Sequence, residues 1–230
     1  MKVFDLATYI IWISTGYGIL CFSKIPYPGL RFFIIFQAIS TISDLLLIYV
    51  IPMGDGVFVR VFYLFLKPIE YFSYVYALMN LNKTGVRSIL LMLSVVIMLL
   101  FSIYNLGFRL KYQGVTDNLM LIEGILSVIL SLVYFGDVFY ISFEEDENIK
   151  PLWSQHRFWL ATSLLFFYLG NIIATGFYHR LLTYSPDFAK SLYVYMNLVL
   201  GILQSCMFAL TYLIAVRTNL DLSAQKSGLT

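Results

Sequence analysis

Apolar residues run through this chain in long blocks, and the polar and turn-forming residues are confined to short breaks between them. Seven blocks stand out: Phe4–Phe22, Phe32–Ile51, Phe58–Leu81, Val86–Tyr104, Asn118–Tyr140, Phe158–Phe177 and Ser191–Val216. A run of about 20 apolar residues is enough for a helix to cross the hydrocarbon core of a bilayer. The breaks hold Pro26-Tyr27-Pro28-Gly29, Gly54-Asp55-Gly56, Asn82-Lys83-Thr84-Gly85, Gln113-Gly114, Asn148–Pro151 and Ser185-Pro186-Asp187. Such residues punctuate helices, and connectors this short make neighbouring helices antiparallel. The pattern predicts an all-α, polytopic membrane protein: one seven-helix transmembrane domain over residues 1–218, then a polar, mobile cytoplasmic tail over 219–230. The first block resembles a signal peptide in position, but it is long and has no A-x-A-like site before Lys24, so it is read as a retained helix.

The third block breaks its own pattern. It carries Lys67, Pro68 and Glu70 near its middle. Ionisable groups at bilayer depth cost roughly 2.5–3.5 kcal/mol each on insertion scales and almost always face a protein interior. Pro68 has no amide to donate, which frees the carbonyl of Leu64 and predicts a kink. Lys67 and Glu70 are three apart, so they share a helix face. The other helices are expected to be arranged around this segment.

Depth groups the remaining embedded polar residues. With a rise of about 1.5 Å per residue, Asp44 comes out about seven residues from the outer end of the second span, and Lys67 and Glu70 about nine and twelve residues into the third. Glu123 lies about five residues into the fifth span, Asn171 about six from the outer end of the sixth, and Asn197 about six into the seventh. All six fall in the outer half or at the midplane, which is what an outward-opening polar cavity produces. Equal depth suggests an ion pair between Asp44 and Lys67. Glu123 stands near the interface, where solvation and cavity lining are both open. Asp137 sits near the inner end of its span. Tyr17, Tyr71, Tyr74, Tyr76, Tyr134, Tyr168, Tyr193 and Tyr195 could offer hydroxyls to the cavity, though core or belt packing is the expected role. Gly16, Gly18, Gly170 and Gly201 are expected to allow close helix approach.

Composition agrees and narrows the choice. The chain of 230 residues is 60% hydrophobic and 12% charged, with a mean hydropathy of +0.82. Soluble domains are about 45–50% apolar and about 25% charged. Aromatics make up 18%, which suits lipid-facing surfaces and interfacial belts. A net charge of +2 gives no footprint for nucleic acid. Cys21 and Cys206 lie in apolar runs and form no metal or redox spacing. His156 and His179 are the only histidines and are expected on opposite faces, with His156 and Arg157 beside Trp153 and Trp159 as interfacial anchors. No H-E-x-x-H, G-x-S-x-G, phosphate-binding loop or dinucleotide fingerprint occurs. An enzyme, a cofactor and a bound metal are therefore not expected.

Seven spans put the termini on opposite sides. Lys2, Arg60, Arg109, Lys111, Arg180 and Lys190 fall on the amino-terminal side. Lys24, Arg31, Lys83, Arg87, Lys150, Arg157, Arg217 and Lys226 fall on the other. The excess of basic residues marks the cytoplasmic side, so the amino terminus is expected outside and the carboxyl terminus inside.

Three stretches, KPIEYFSYVYAL, IEGILSVILSLVYF and QHRFWLATSLLFFYLGNIIATGF, together resemble small uncharacterised seven-helix inner-membrane proteins of Bacteroidota. The resemblance spans the third to seventh helices, and its matching positions are Glu70, Glu123, Phe158, Trp159, Tyr168 and Gly170. Asp44 and Lys67 are not part of that pattern. The resemblance implies a sensory or accessory role next to two-component signalling. The expected function is an inner-membrane sensor or accessory signalling subunit. Its partners would be the lipid bilayer and a cytoplasmic or membrane signalling protein, met through Phe143–Arg157 with its acidic run and the tail after Arg217. A small-solute or proton-coupled transporter and a structural subunit of a membrane complex are the alternatives.

Overall fold

A computed structural model of the chain describes residues 2–49, 56–78, 85–109, 115–144 and 151–226. Among them there is no strand. Seven helices account for nearly all of them: α1 (Lys2–Cys21), α2 (Pro28–Tyr49), α3 (Gly56–Leu78), α4 (Gly85–Tyr104), α5 (Val115–Glu144), α6 (His156–Leu182) and α7 (Pro186–Lys226). A π-helical turn, Asn105–Arg109, prolongs α4, and short 3-10 turns occupy Phe22–Lys24 and Leu152–Ser154. The helices match the seven apolar blocks. The largest difference is at the end, where helix continues through Lys226 instead of giving way to a mobile tail at residue 219. Asn219 contributes there, its side-chain amide donating to the carbonyl of Lys24 at 2.9 Å.

Local chemistry explains the ends. Proline at a first helical position loses nothing, because that amide has no intrahelical partner. Pro28 and Pro186 both stand there, and Arg31 N closes the first turn of α2 on Tyr27 O at 3.0 Å. Gly29 then lets α2 meet the far end of α3. A Cβ at residue 29 would stand 2.5 Å from the carbonyl oxygen of Tyr76, so only glycine fits.

Successive helices run antiparallel. Thr15 meets Thr41 across α1 and α2, Gly29 meets Tyr76 across α2 and α3, and Ser102 meets Leu64 across α3 and α4. Across α5 and α6 Glu123 meets Tyr168, and across α6 and α7 Ser163 meets the carbonyl of Gln204. The bundle closes where α1 lies beside α7 in parallel, with Gly18 against the ring of Tyr212. Gly170 similarly faces Leu200 of α7, whereas Gly16 and Gly201 have no other helix within 4 Å of where a Cβ would stand.

Among the described residues, four helices are long and apolar enough to cross a membrane: Ile89–Phe108, Asn118–Phe139, His156–Leu182 and Pro186–Leu220. α3 is not one of them, because Lys67, Glu70 and its tyrosines lower its hydropathy. The fold compensates by enclosure, since α3 packs against α2, α4, α5 and α6. Leu64, Leu66, Pro68, Tyr71, Ser73, Tyr74, Val75, Ala77 and Leu78 on it are all buried. α4, by contrast, turns Ile89, Leu90, Leu93, Leu100 and Ile103 outwards, a stripe suited to lipid.

Pro68 lies inside α3 without ending it. The freed carbonyl of Leu64 accepts from Ser102 Oγ of α4 at 2.5 Å. One turn further along, the hydroxyl of Tyr71 is 2.8 Å from Ser94 Oγ and also reaches the carbonyl of Leu126 on α5 at 3.4 Å. α3 is thus tied to α4 at two levels around the proline.

Candidate functional site

The polar residues of α3 form the centre of a closed ring. Lys67 Nζ is 2.6 Å from Glu70 Oε2 on its own helix and 3.3 Å from Glu123 Oε2 on α5. The first contact is a hydrogen bond. The second is a pairing of charges without hydrogen-bond alignment, and it leaves Glu123 Oε2 without a directed donor. On the other side Tyr74 donates to Glu70 Oε1 at 2.7 Å and Tyr168 donates to Glu123 Oε1 at 2.9 Å. The two hydroxyls stand 3.4 Å apart and complete the circuit. Helical spacing places these groups: Lys67, Glu70 and Tyr74 recur at three and four residues on one face of α3, while α5 and α6 each contribute one side chain from opposite.

Burial sets the electrostatic demand. Glu123 is only 1% exposed, while Lys67 and Glu70 each keep 16% of their side-chain surface. An unpaired charge in such surroundings is far costlier than in water, and one ammonium faces two carboxylates here. The Glu70 edge of the ring lines a cavity of about 140 Å³ between α1, α2, α3 and α7. Gln37, Ser40, Thr41, Gln204 and Ser205 supply its polar wall. Gln37 holds the seam together, accepting from the hydroxyl of Tyr212 and donating to Ser14 Oγ at 3.5 Å. Phe33 and Phe208 form the end of this cavity nearer Pro28, their rings 4.9 Å apart in edge-to-face contact. Beyond them Ile25, Leu30, Tyr212 and Ala215 are fully enclosed.

A second cavity of about 280 Å³ lies between α5, α6 and the start of α7, lined by Gly124, Tyr168, Asn171, Thr175, Tyr178 and Tyr193 among others. Tyr168 therefore borders this cavity with its ring and the ion ring with its hydroxyl. The side-chain carbonyl oxygen of Asn171 is enclosed there without a protein donor.

Of the six residues that depth groups together, Lys67, Glu70 and Glu123 converge, and Glu123 is buried, not solvated. Asn171 belongs to the second cavity. Asn197 is half-buried on α7 and lines neither cavity. The side chain of Asp44 lies outside the described residues, as does its expected pairing with Lys67. Tyr74 and Tyr168, expected chiefly in core or belt packing with cavity-lining hydroxyls as the other role, both place their hydroxyls in the ring. The available signal was spacing: Tyr74 is one turn from Glu70 on α3.

On the face that carries the start of α6, His156 is not a simple interfacial anchor. His156 is buried and stacks on Tyr27 with ring centroids 4.1 Å apart. Trp153 is 68% exposed, and its carbonyl accepts from Trp159 Nε1 at 2.9 Å. Among the described residues no group of three His, Cys, Asp or Glu side chains could hold a metal ion.

No protein-family model, curated protein or solved structure matches this chain.

Proposed function

We propose that all seven helices cross the inner membrane, amino terminus outside, and that the protein is a sensor or accessory signalling subunit. The cavity at Glu70 faces outward in this reading, and the segment Phe143–Arg157 and the end of α7 meet a cytoplasmic partner. The observation that carries it is the change of lining along the cavity. Glu70 and Tyr74 line its wall with polar side chains of α2 and α7, and toward Pro28 the lining passes to the rings of Phe33 and Phe208, with buried Ile25, Leu30 and Ala215 further along in that direction. A transporter needs its polar path to continue there, whereas a sensor needs only occupancy to bias helix positions. Glu70 is the group best placed to do so, because it sits two residues past Pro68 on the helix that most others touch.

The test uses proteoliposomes of a Cys206→Ser protein labelled with an environment-sensitive dye at Trp153→Cys, with a pH dye inside. Changes of external pH, Na⁺ and choline are applied in turn. The expected result is a dye response at position 153 that Glu70→Gln abolishes, with no change of lumenal pH. The Gln variant should melt near the parent temperature in detergent. A normal response from Glu70→Gln, or loss of response only through misfolding, overturns the role given to Glu70. Solute-driven lumenal acidification or alkalinisation favours the transporter instead.

A further inference from the structure

We propose that the ring binds one proton and that Glu70 and Glu123 share it through the hydroxyls of Tyr74 and Tyr168. The inference deepens the reading above by naming the proton as what the cavity edge of the ring takes up. It starts from a count. Two carboxylates face one ammonium, and the ring is enclosed by α3, α5 and α6, so one negative charge is left over. Among the described residues, the groups that face it from neighbouring helices are neutral. Tyr71 is engaged by Ser94 and Leu126, and Gln37, Gln204 and Ser205 stand across the cavity. Asp44 lies further along α2, with its side chain outside the described residues. A proton on either carboxyl balances the charge of Lys67 against the other.

The geometry also gives that proton a route. With Glu123 protonated, its hydroxyl donates to Tyr168, Tyr168 donates to Tyr74, and Tyr74 donates to Glu70. A concerted shift breaks three O–H bonds and forms three. Glu123 ends as a carboxylate, Glu70 ends as the acid, and both tyrosines end neutral. The links are 2.9, 3.4 and 2.7 Å. Good O–H···O bonds are about 2.7–2.8 Å, so the gap between Tyr168 and Tyr74 is the link that must shorten. It joins two helices, α6 and α3, and therefore makes the position of the proton depend on their approach. Glu70 borders the cavity beside α1 and α2, and Tyr168 borders the one between α5 and α7. The circuit thus spans the wall between the two cavities.

Infrared difference spectroscopy of the purified full-length protein in nanodiscs at neutral pH tests this, because exposed carboxyl groups are ionised there. The expected spectrum has one protonated-carboxyl C=O band that shifts in D₂O. Glu70→Gln and Glu123→Gln should each remove it, since the carboxylate left behind pairs with Lys67. Tyr74→Phe and Tyr168→Phe should each keep the band but narrow and displace it, because the proton is then confined to one carboxyl. These two variants retain all the charges, so they remain informative if a Gln variant fails to stay monodisperse. Absence of the band in the parent overturns the proposal. So does a band removed by Glu123→Gln alone, or one that both Phe variants leave unchanged. The spectrum reads protonation only, so its failure leaves the dye response at position 153 to decide the sensor reading by itself.

Discussion

Ser102 Oγ donates to the carbonyl of Leu64 at 2.5 Å, in the place of the amide that Pro68 lacks. A buried carbonyl left without a donor costs about 1–3 kcal/mol. Ser102→Ala should therefore lower stability by about that amount, measured by thermal or denaturant unfolding in detergent. Pro68→Ala restores an amide to the same carbonyl. In that background Ser102→Ala should cost much less, and equal costs in both backgrounds would show that the hydroxyl does not act through Leu64.

Lys67 is the cation of the ring, and the two carboxylates it separates belong to different helices. Removing one partner of a buried ion pair typically costs about 3–5 kcal/mol, because a charge is left uncompensated. Lys67→Met should be among the most destabilising single changes in the protein. Adding Glu123→Gln to it should recover part of the loss, and a double-mutant cycle measures how much. Strict additivity would mean that the 3.3 Å contact contributes nothing.

Gly29 sets the approach of α2 to α3. A methyl group there meets backbone, not a flexible side chain, at 2.5 Å from Tyr76 O. Overpacking of this kind costs typically about 1–3 kcal/mol. Gly29→Ala should lower the melting temperature, while Gly16→Ala, with open space beside it, should not. Parallel melting curves compare the two directly.

Topology is tested by reporter fusions after Thr230 and within Lys83–Arg87. Both should read cytoplasmic. A periplasmic reading at either position would reverse the orientation and place the Glu70 cavity toward the cytoplasm.

The seven apolar blocks made the helix count legible, because length and hydrophobicity alone decide it. The central place of α3 was legible too, from the cost of Lys67 and Glu70 in hydrocarbon. Depth arithmetic brought Glu123 to their level, but a one-dimensional depth carries no azimuth. It could not separate Glu123, which points into the ring, from Asn197, which lines neither cavity. Tyr74 and Tyr168 could not be singled out from the other tyrosines for a related reason: a tyrosine in a span packs its ring in the core whether or not its hydroxyl does chemistry. The length of α7 was hidden by its polar end, where contact with Lys24 of another segment, not local hydrophobicity, accompanies the last turns.

In the proposed seven-span topology, the pairing of Lys67 with Glu70 on one helix has a consequence for how the chain enters the bilayer. Three residues apart, the two charges leave the ribosome almost together and can cross into lipid as a neutral couple before any later helix exists. Glu123 emerges two helices afterwards with no cation among the residues near it on α5. Its stable residence at depth has to wait for α3 to be already in place. The order of synthesis, amino to carboxyl, thus supplies the receptor before the residue that docks into it. Replacing Lys67 should accordingly impair the membrane integration of α5 as well as that of α3, although the substitution lies in α3.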